Sequence, residues 1–129
     1  MQEAERKRIL AKLDEMSKYV KELREMIPPE EEYSKDLVRK RGCEKTVELA
    51  IDSLIDVAAM IVSSQKLGLP ESEENIIDLL VGGKVITLQL GKKLKEMKGF
   101  RNILVHKYGK KDDSLVYKFL ALELGFRRI

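Results

Sequence analysis

Apolar residues recur at steps of three and four almost from the start of the chain. Ile9, Leu13, Met16, Val20, Leu23 and Ile27 fall on one face of a helix over roughly residues 3–27. Pro28-Pro29 stops it, because Pro28 lacks an N–H and Pro29 pushes the residue before it out of the α region. A second helical pattern runs through Leu37, Cys43, Val47, Ala50, Ile51, Leu54, Ile55, Ala58, Ile61 and Val62 and ends at Gly68-Leu69-Pro70. Ser34 is the expected N-cap, with Asp36 in the first turn. The small residues Ala50, Ser53, Ala58, Ala59, Ser63 and Ser64 on this helix invite another helix to pack closely, and a two-fold related copy is one candidate. Ser72 starts a third helix over 73–81, with Asn75 where a full capping box has Glu or Gln. Gly82-Gly83 breaks it. A fourth begins near Thr87 and passes through Gly99 to about Tyr108, with Phe100, Ile103 and Leu104 expected on its apolar face. Asp113 or Ser114 caps a fifth, carrying Leu115, Val116, Phe119, Leu120, Leu122 and Leu124. No alternating pattern of a strand competes. The reading is all-α, an up-and-down bundle of four to five helices in a single domain over residues 1–129.

Composition narrows the function classes. The 129 residues are 43% hydrophobic and 36% charged, which fits a globular domain rather than a disordered tail. Aromatics are only 5%, with no Trp, which disfavours a β-sandwich and an RNA-binding sheet with stacking aromatics. The single Cys43 fits a reducing compartment. No apolar run approaches the roughly 18 residues of a membrane span, and the segment MQEAERKRIL does not read as a secretory signal. A cytoplasmic protein without membrane attachment is expected.

Charge is unevenly distributed. The net charge is +3, but residues 92–111 hold eight bases (Lys92, Lys93, Lys95, Lys98, Arg101, Lys107, Lys110, Lys111) against one acid, Glu96. Such a patch attracts phosphates, with Lys98, Lys107, Lys110 and Lys111 as its RNA-binding candidates. Glu71, Glu73, Glu74 and Asp78 form an acidic stretch that would repel nucleic acid. The only histidine, His106, sits in the basic region with Arg101, Asn102 and Tyr108. At roughly 100° per residue, Arg101 and Tyr108 lie nearly on one line, and Asn102 stacks with His106. Each has a plain structural reading too: Arg101 can pair with a carboxylate, lysines can be a solvated face, and Tyr108 can belong to the core. Gly82-Gly83-Lys84 lacks the strand, glycine spacing and Ser/Thr of a phosphate loop and reads as a turn. Cys43 reads as a small core residue. No His/Cys cluster or paired ligand spacing points to a metal site. Glu44, Asp52 and Asp56 share the second helix, and one of them could face the Arg/His cluster. Asp56 is taken as the candidate.

The segment GFRNILVHKY, with Arg101, His106 and Tyr108 spaced as Arg-x4-His-x-Tyr, resembles the signature of HEPN domains, in particular the HepT-like toxins of HepT/MntA toxin–antitoxin systems. KKLKEMK before it, NIIDLLV and ELAIDSLIDVAAMIV extend the resemblance from Ile9 to about Leu124. Gly109-Lys110-Lys111 departs from the family pattern, in which an aromatic or acidic residue often follows the tyrosine. The resemblance implies an all-α homodimer whose motif residues line one cleft. It implies a metal-independent endoribonuclease toxin of a type VII toxin–antitoxin system, needing no cofactor and acting on RNA. Its partner would be a minimal nucleotidyltransferase antitoxin, MntA-like, that transfers AMP to the motif tyrosine. Carried over, Arg101 and His106 are the catalytic pair, Asn102 is supporting and Tyr108 is the modified residue. One alternative is a non-catalytic HEPN subunit that binds nucleotide or substrate for a separate nucleotidyltransferase. Another is a purely structural helical dimerisation protein.

Overall fold

A computed structural model describes residues 2–106 and 113–123 of the chain. Within them lie six α-helices: α1 (Glu3–Met26), α2 (Glu30–Tyr33), α3 (Leu37–Ser64), α4 (Glu73–Gly82), α5 (Leu88–His106) and α6 (Asp113–Lys118). The last runs on into a π-helical segment, Phe119–Glu123. The described residues contain no strand, in keeping with the all-α expectation. The count exceeds the expected four to five by one single-turn element, α2. No helix among the described residues is long and apolar enough to cross a membrane.

The breaks fall where local chemistry puts them. Ile27 leaves the α region at φ −64°, ψ 122°, directly before Pro28-Pro29. The turn of α2 then takes up Ser34 as its C-cap, so Ser34 does not start α3 as expected. Asp36 does, its Oδ1 accepting from the Arg39 N–H at 3.0 Å. Ser72 caps α4 by accepting from the Asn75 N–H at 3.0 Å. Asn75 reaches back one residue further than a capping box would, accepting from the Glu71 N–H at 3.0 Å. Thr87 Oγ1 accepts from the Leu90 N–H at 3.1 Å at the start of α5. Gly82-Gly83-Lys84 is a helix stop, with Gly83 as the C-cap and Lys84 in the left-handed region at φ 60°.

α1 and α3 pack as a long antiparallel pair. The packing of α3 against α1 and α4 uses much of the small-residue face inside the chain. Ala50, Ser53 and Ala58 are buried, and Ala59 and Ser63 line a groove with Glu5, Arg8 and Ile9 of α1. Buried apolar residues form two clusters along α3. In the larger, Cys43, Val47 and Ile51 meet Leu23 of α1, Phe100 and Leu104 of α5, and Val116, Tyr117 and Leu120. In the smaller, Ala58 and Val62 meet Leu80 of α4. Tyr117 was not among the expected core residues. Its hydroxyl donates to the Pro28 carbonyl at 2.7 Å, and its ring lies 5.2 Å from that of Tyr33. The second half of α5 is thus anchored from behind, which fixes what its outer face can present.

Candidate active site

α5 divides its residues by angle. Phe100 and Leu104 are buried and Met97 packs beside them, so the core side is centred on 97, 100 and 104. Ile103, expected to join them, is 60% exposed. At roughly 100° per residue it points about a quarter turn away from that centre. Lys98, Arg101, Asn102 and Val105, spaced i, i+3, i+4 and i+7, share the outer face. Together with Glu73 of α4 they line an open cavity of about 320 Å³. Arg101 and Asn102 are therefore together, and Lys98 joins them. The backbone of His106 closes α5. Its side chain lies outside the described residues, as do Lys107, Tyr108, Lys110 and Lys111.

Arg101 is the most connected group of the site. Its Nη1 donates to Asp52 Oδ1 of α3 at 2.8 Å, and its Nη2 donates to Glu73 Oε1 of α4. The Nε is buried without a hydrogen-bond partner among the described residues. The side chain is 14% exposed, against 40% for Asp52 and 39% for Glu73. Burial works against the guanidinium charge, but the hydrogen bonds to Glu73 and Asp52 outweigh it and raise the group above its ordinary value. Arg101 therefore stays a cation at every pH the protein meets. Its fork is held in one orientation by carboxylates from two different helices.

Of the acids on α3, Asp52 is the one that meets Arg101. Asp56, the expected supporting residue, sits one turn further on and pairs instead with Lys12 of α1 at 3.5 Å. Glu73 appeared in the sequence as part of a repelling acidic stretch and is a component of the site. The signal for it was the Gly82-Gly83 turn. An antiparallel fold-back there lays the start of α4 against the end of α5.

The same fold-back changes the charge picture. Lys95 meets Asp78 at 2.7 Å and Lys98 meets Glu74 at 3.5 Å, in register with Arg101 and Glu73. The hydrogen bond to Asp78 raises the Lys95 pKa. The basic run of α5 is thus substantially paired with the acids of α4 rather than standing as an open cationic surface. Lys98, expected to be a free phosphate contact, reaches the cavity as one half of an ion pair.

An all-helical bundle presenting Arg101 and Asn102 one turn before a lone histidine defines the class. The chain belongs to the ribonuclease HepT-like family, whose model matches residues 16–124. It is 28% identical over 100 residues to the mRNA nuclease HepT of Shewanella oneidensis, covering 78% of this chain and 75% of that protein. Its fold is similar to that of a tri-AMPylated Shewanella oneidensis HEPN toxin solved in complex with an MNT antitoxin. The TM-score is 0.84 at 25% identity, over 98% of this chain and 92% of the other. A cytosolic protein of unknown function from Bacillus subtilis shares the fold at 21% identity and TM-score 0.77, over 94% of this chain and 81% of that one.

Proposed function

We propose that the chain is a metal-independent endoribonuclease, the toxin of a toxin–antitoxin pair, acting as a homodimer through Arg101 and His106. The observation that carries this is Arg101 held rigidly on the outer face of α5, beside Asn102 in an open cavity, in a member of the ribonuclease HepT-like family. RNA brings its own nucleophile. A neutral His106 takes the proton from the 2′-hydroxyl, the 2′-oxygen bonds to phosphorus, and the bond from phosphorus to the 5′-oxygen breaks. A protonated imidazole returns a proton to that leaving oxygen, giving a 2′,3′-cyclic phosphate and a 5′-hydroxyl. Arg101 takes the charge that builds on the phosphoryl oxygens. Each chain has one histidine, so two-fold symmetry supplies the second imidazole for the acid role. Asn102 lies one turn from His106 and orients it. Lys107, Lys110 and Lys111 hold the backbone of the RNA.

The similarity to an AMPylated HEPN toxin bound to its antitoxin supports the control step. An MntA-like nucleotidyltransferase transfers AMP to Tyr108, adding bulk and negative charge where RNA must enter. The test is cleavage of RNA by purified protein in EDTA, wild type beside His106→Ala, with intact mass used to confirm that Tyr108 carries no AMP. Cleavage that persists in EDTA and disappears in the variant is the expected result. An unmodified, folded dimer that leaves RNA intact but binds ATP tightly is the contrary one, and it would favour a substrate-binding subunit.

A further inference from the structure

The donors of Arg101 are not used alike. A guanidinium takes an oxyanion through two parallel N–H bonds across one edge. Asp52 holds Nη1 and Glu73 holds Nη2. Nε is buried without a hydrogen-bond partner among the described residues, so Glu73 meets the guanidinium through Nη2 alone. The two carboxylates also sit differently. Asp52 lies in the middle of the 28-residue α3 and does not line the cavity. Glu73 is the first residue of α4 and does line it, with Lys98 and Asn102. The cap of α4 is made by Ser72, not Glu73, so α4 does not need this carboxylate to begin.

We infer that Glu73 is an internal stand-in for the RNA phosphate, occupying Nη2 of Arg101 until a phosphodiester displaces it, while Asp52 remains as the positioning residue. The exchange replaces one monoanion with another on the guanidinium. The displaced carboxylate, already 39% exposed, turns toward water. A ligand that makes several further contacts overcomes this competition, whereas a single free phosphate or mononucleotide meets it with little else to offset it. Glu73 thereby selects for polymeric RNA. The inference rests on the ribonuclease reading for its ligand.

The test is binding of a non-cleavable 2′-O-methyl RNA oligonucleotide, followed by fluorescence anisotropy at fixed ionic strength. Folding of each variant is checked by circular dichroism. Glu73→Gln should bind about five- to tenfold more tightly than wild type, the span set by losing one partly exposed, charged hydrogen bond. Glu73→Ala should do the same, which guards against an effect peculiar to the amide. Asp78→Asn removes the same charge from the partner of Lys95 and should change affinity less than about twofold, in the range of an exposed ion pair. The gain should vanish in Glu73→Gln combined with Arg101→Ala. Asp52→Asn should lower kcat about tenfold or more with KM little changed, the signature of a misplaced cation rather than lost binding. If wild type cleaves RNA and Glu73→Gln binds no more tightly than Asp78→Asn, the stand-in is wrong and the ribonuclease reading stands. If Glu73→Gln tightens binding through Arg101 but no variant cleaves, the stand-in holds and the ribonuclease reading fails.

Discussion

Arg101 and Cys43 show what a buried environment does to a reactive group. Arg101 keeps its charge because two carboxylates outweigh its burial. Cys43 has no such support. Burial pushes its thiol up to about 11, partly opposed by nearby Arg39. The thiol is therefore neutral and inert in the native protein, which suits its place in the larger cluster beside Leu23 and Val47. Native protein at pH 8 should resist iodoacetamide and react only after unfolding in urea, as followed by intact mass. The linkage has a definite sign. The folded pKa lies above the value of about 8.5 for an exposed thiol, so this contribution is fully present below that pH. It is lost as pH rises toward about 11. Tyr33, raised by burial and by Glu44 beside its hydroxyl, acts in the same direction. Urea midpoints should fall across that window, and Cys43→Ala should flatten part of the slope.

The α4–α5 hairpin is the element that turns a sequence feature into a site. Its two helices approach closely at Gly91, where an added Cβ would lie 2.6 Å from Val81 Cγ2. Gly91→Ala must displace the Val81 side chain or the helices that carry it and should cost about 1–3 kcal/mol in a denaturant titration. Gly99, further along the same helix, has nothing within 4 Å of an added Cβ. Gly99→Ala should instead stabilise by about 0.5–1 kcal/mol, through helix propensity alone. Equal effects from the two substitutions would contradict the packing described for this hairpin. Helix existence and most breaks were legible beforehand, since Pro28-Pro29, Ser72 and Thr87 act through neighbours within a few residues. The paired state of the basic run was not. Lys95, Lys98 and Arg101 meet acids that local charge counting assigned to a separate, repelling stretch.

At the scale of the molecule, the partners of Arg101 lie 49 and 28 residues away in sequence, on α3 and α4. Helical periodicity places Arg101 on an outer face but cannot say which of Glu44, Asp52 and Asp56 comes opposite. That depends on how α5 crosses α3, and the crossing is set by Phe100 and Leu104 entering the cluster around Val47 and Ile51. Ser34 was misread for a similar reason, because the single turn of α2 intervenes and leaves Asp36 to cap α3. The motif itself was legible as a spacing in the sequence, and the family model matches residues 16–124, which include it. The chemistry proposed for it rests on one claim, that His106 activates the 2′-hydroxyl of the RNA itself while Arg101 takes the charge on the phosphate. Mass spectrometry of the cleaved RNA tests that claim most directly. The account predicts fragments ending in 2′,3′-cyclic phosphate and beginning with 5′-hydroxyl. Fragments carrying 3′-hydroxyl and 5′-phosphate ends would mean that water, not the 2′-oxygen, attacks phosphorus, and would contradict it.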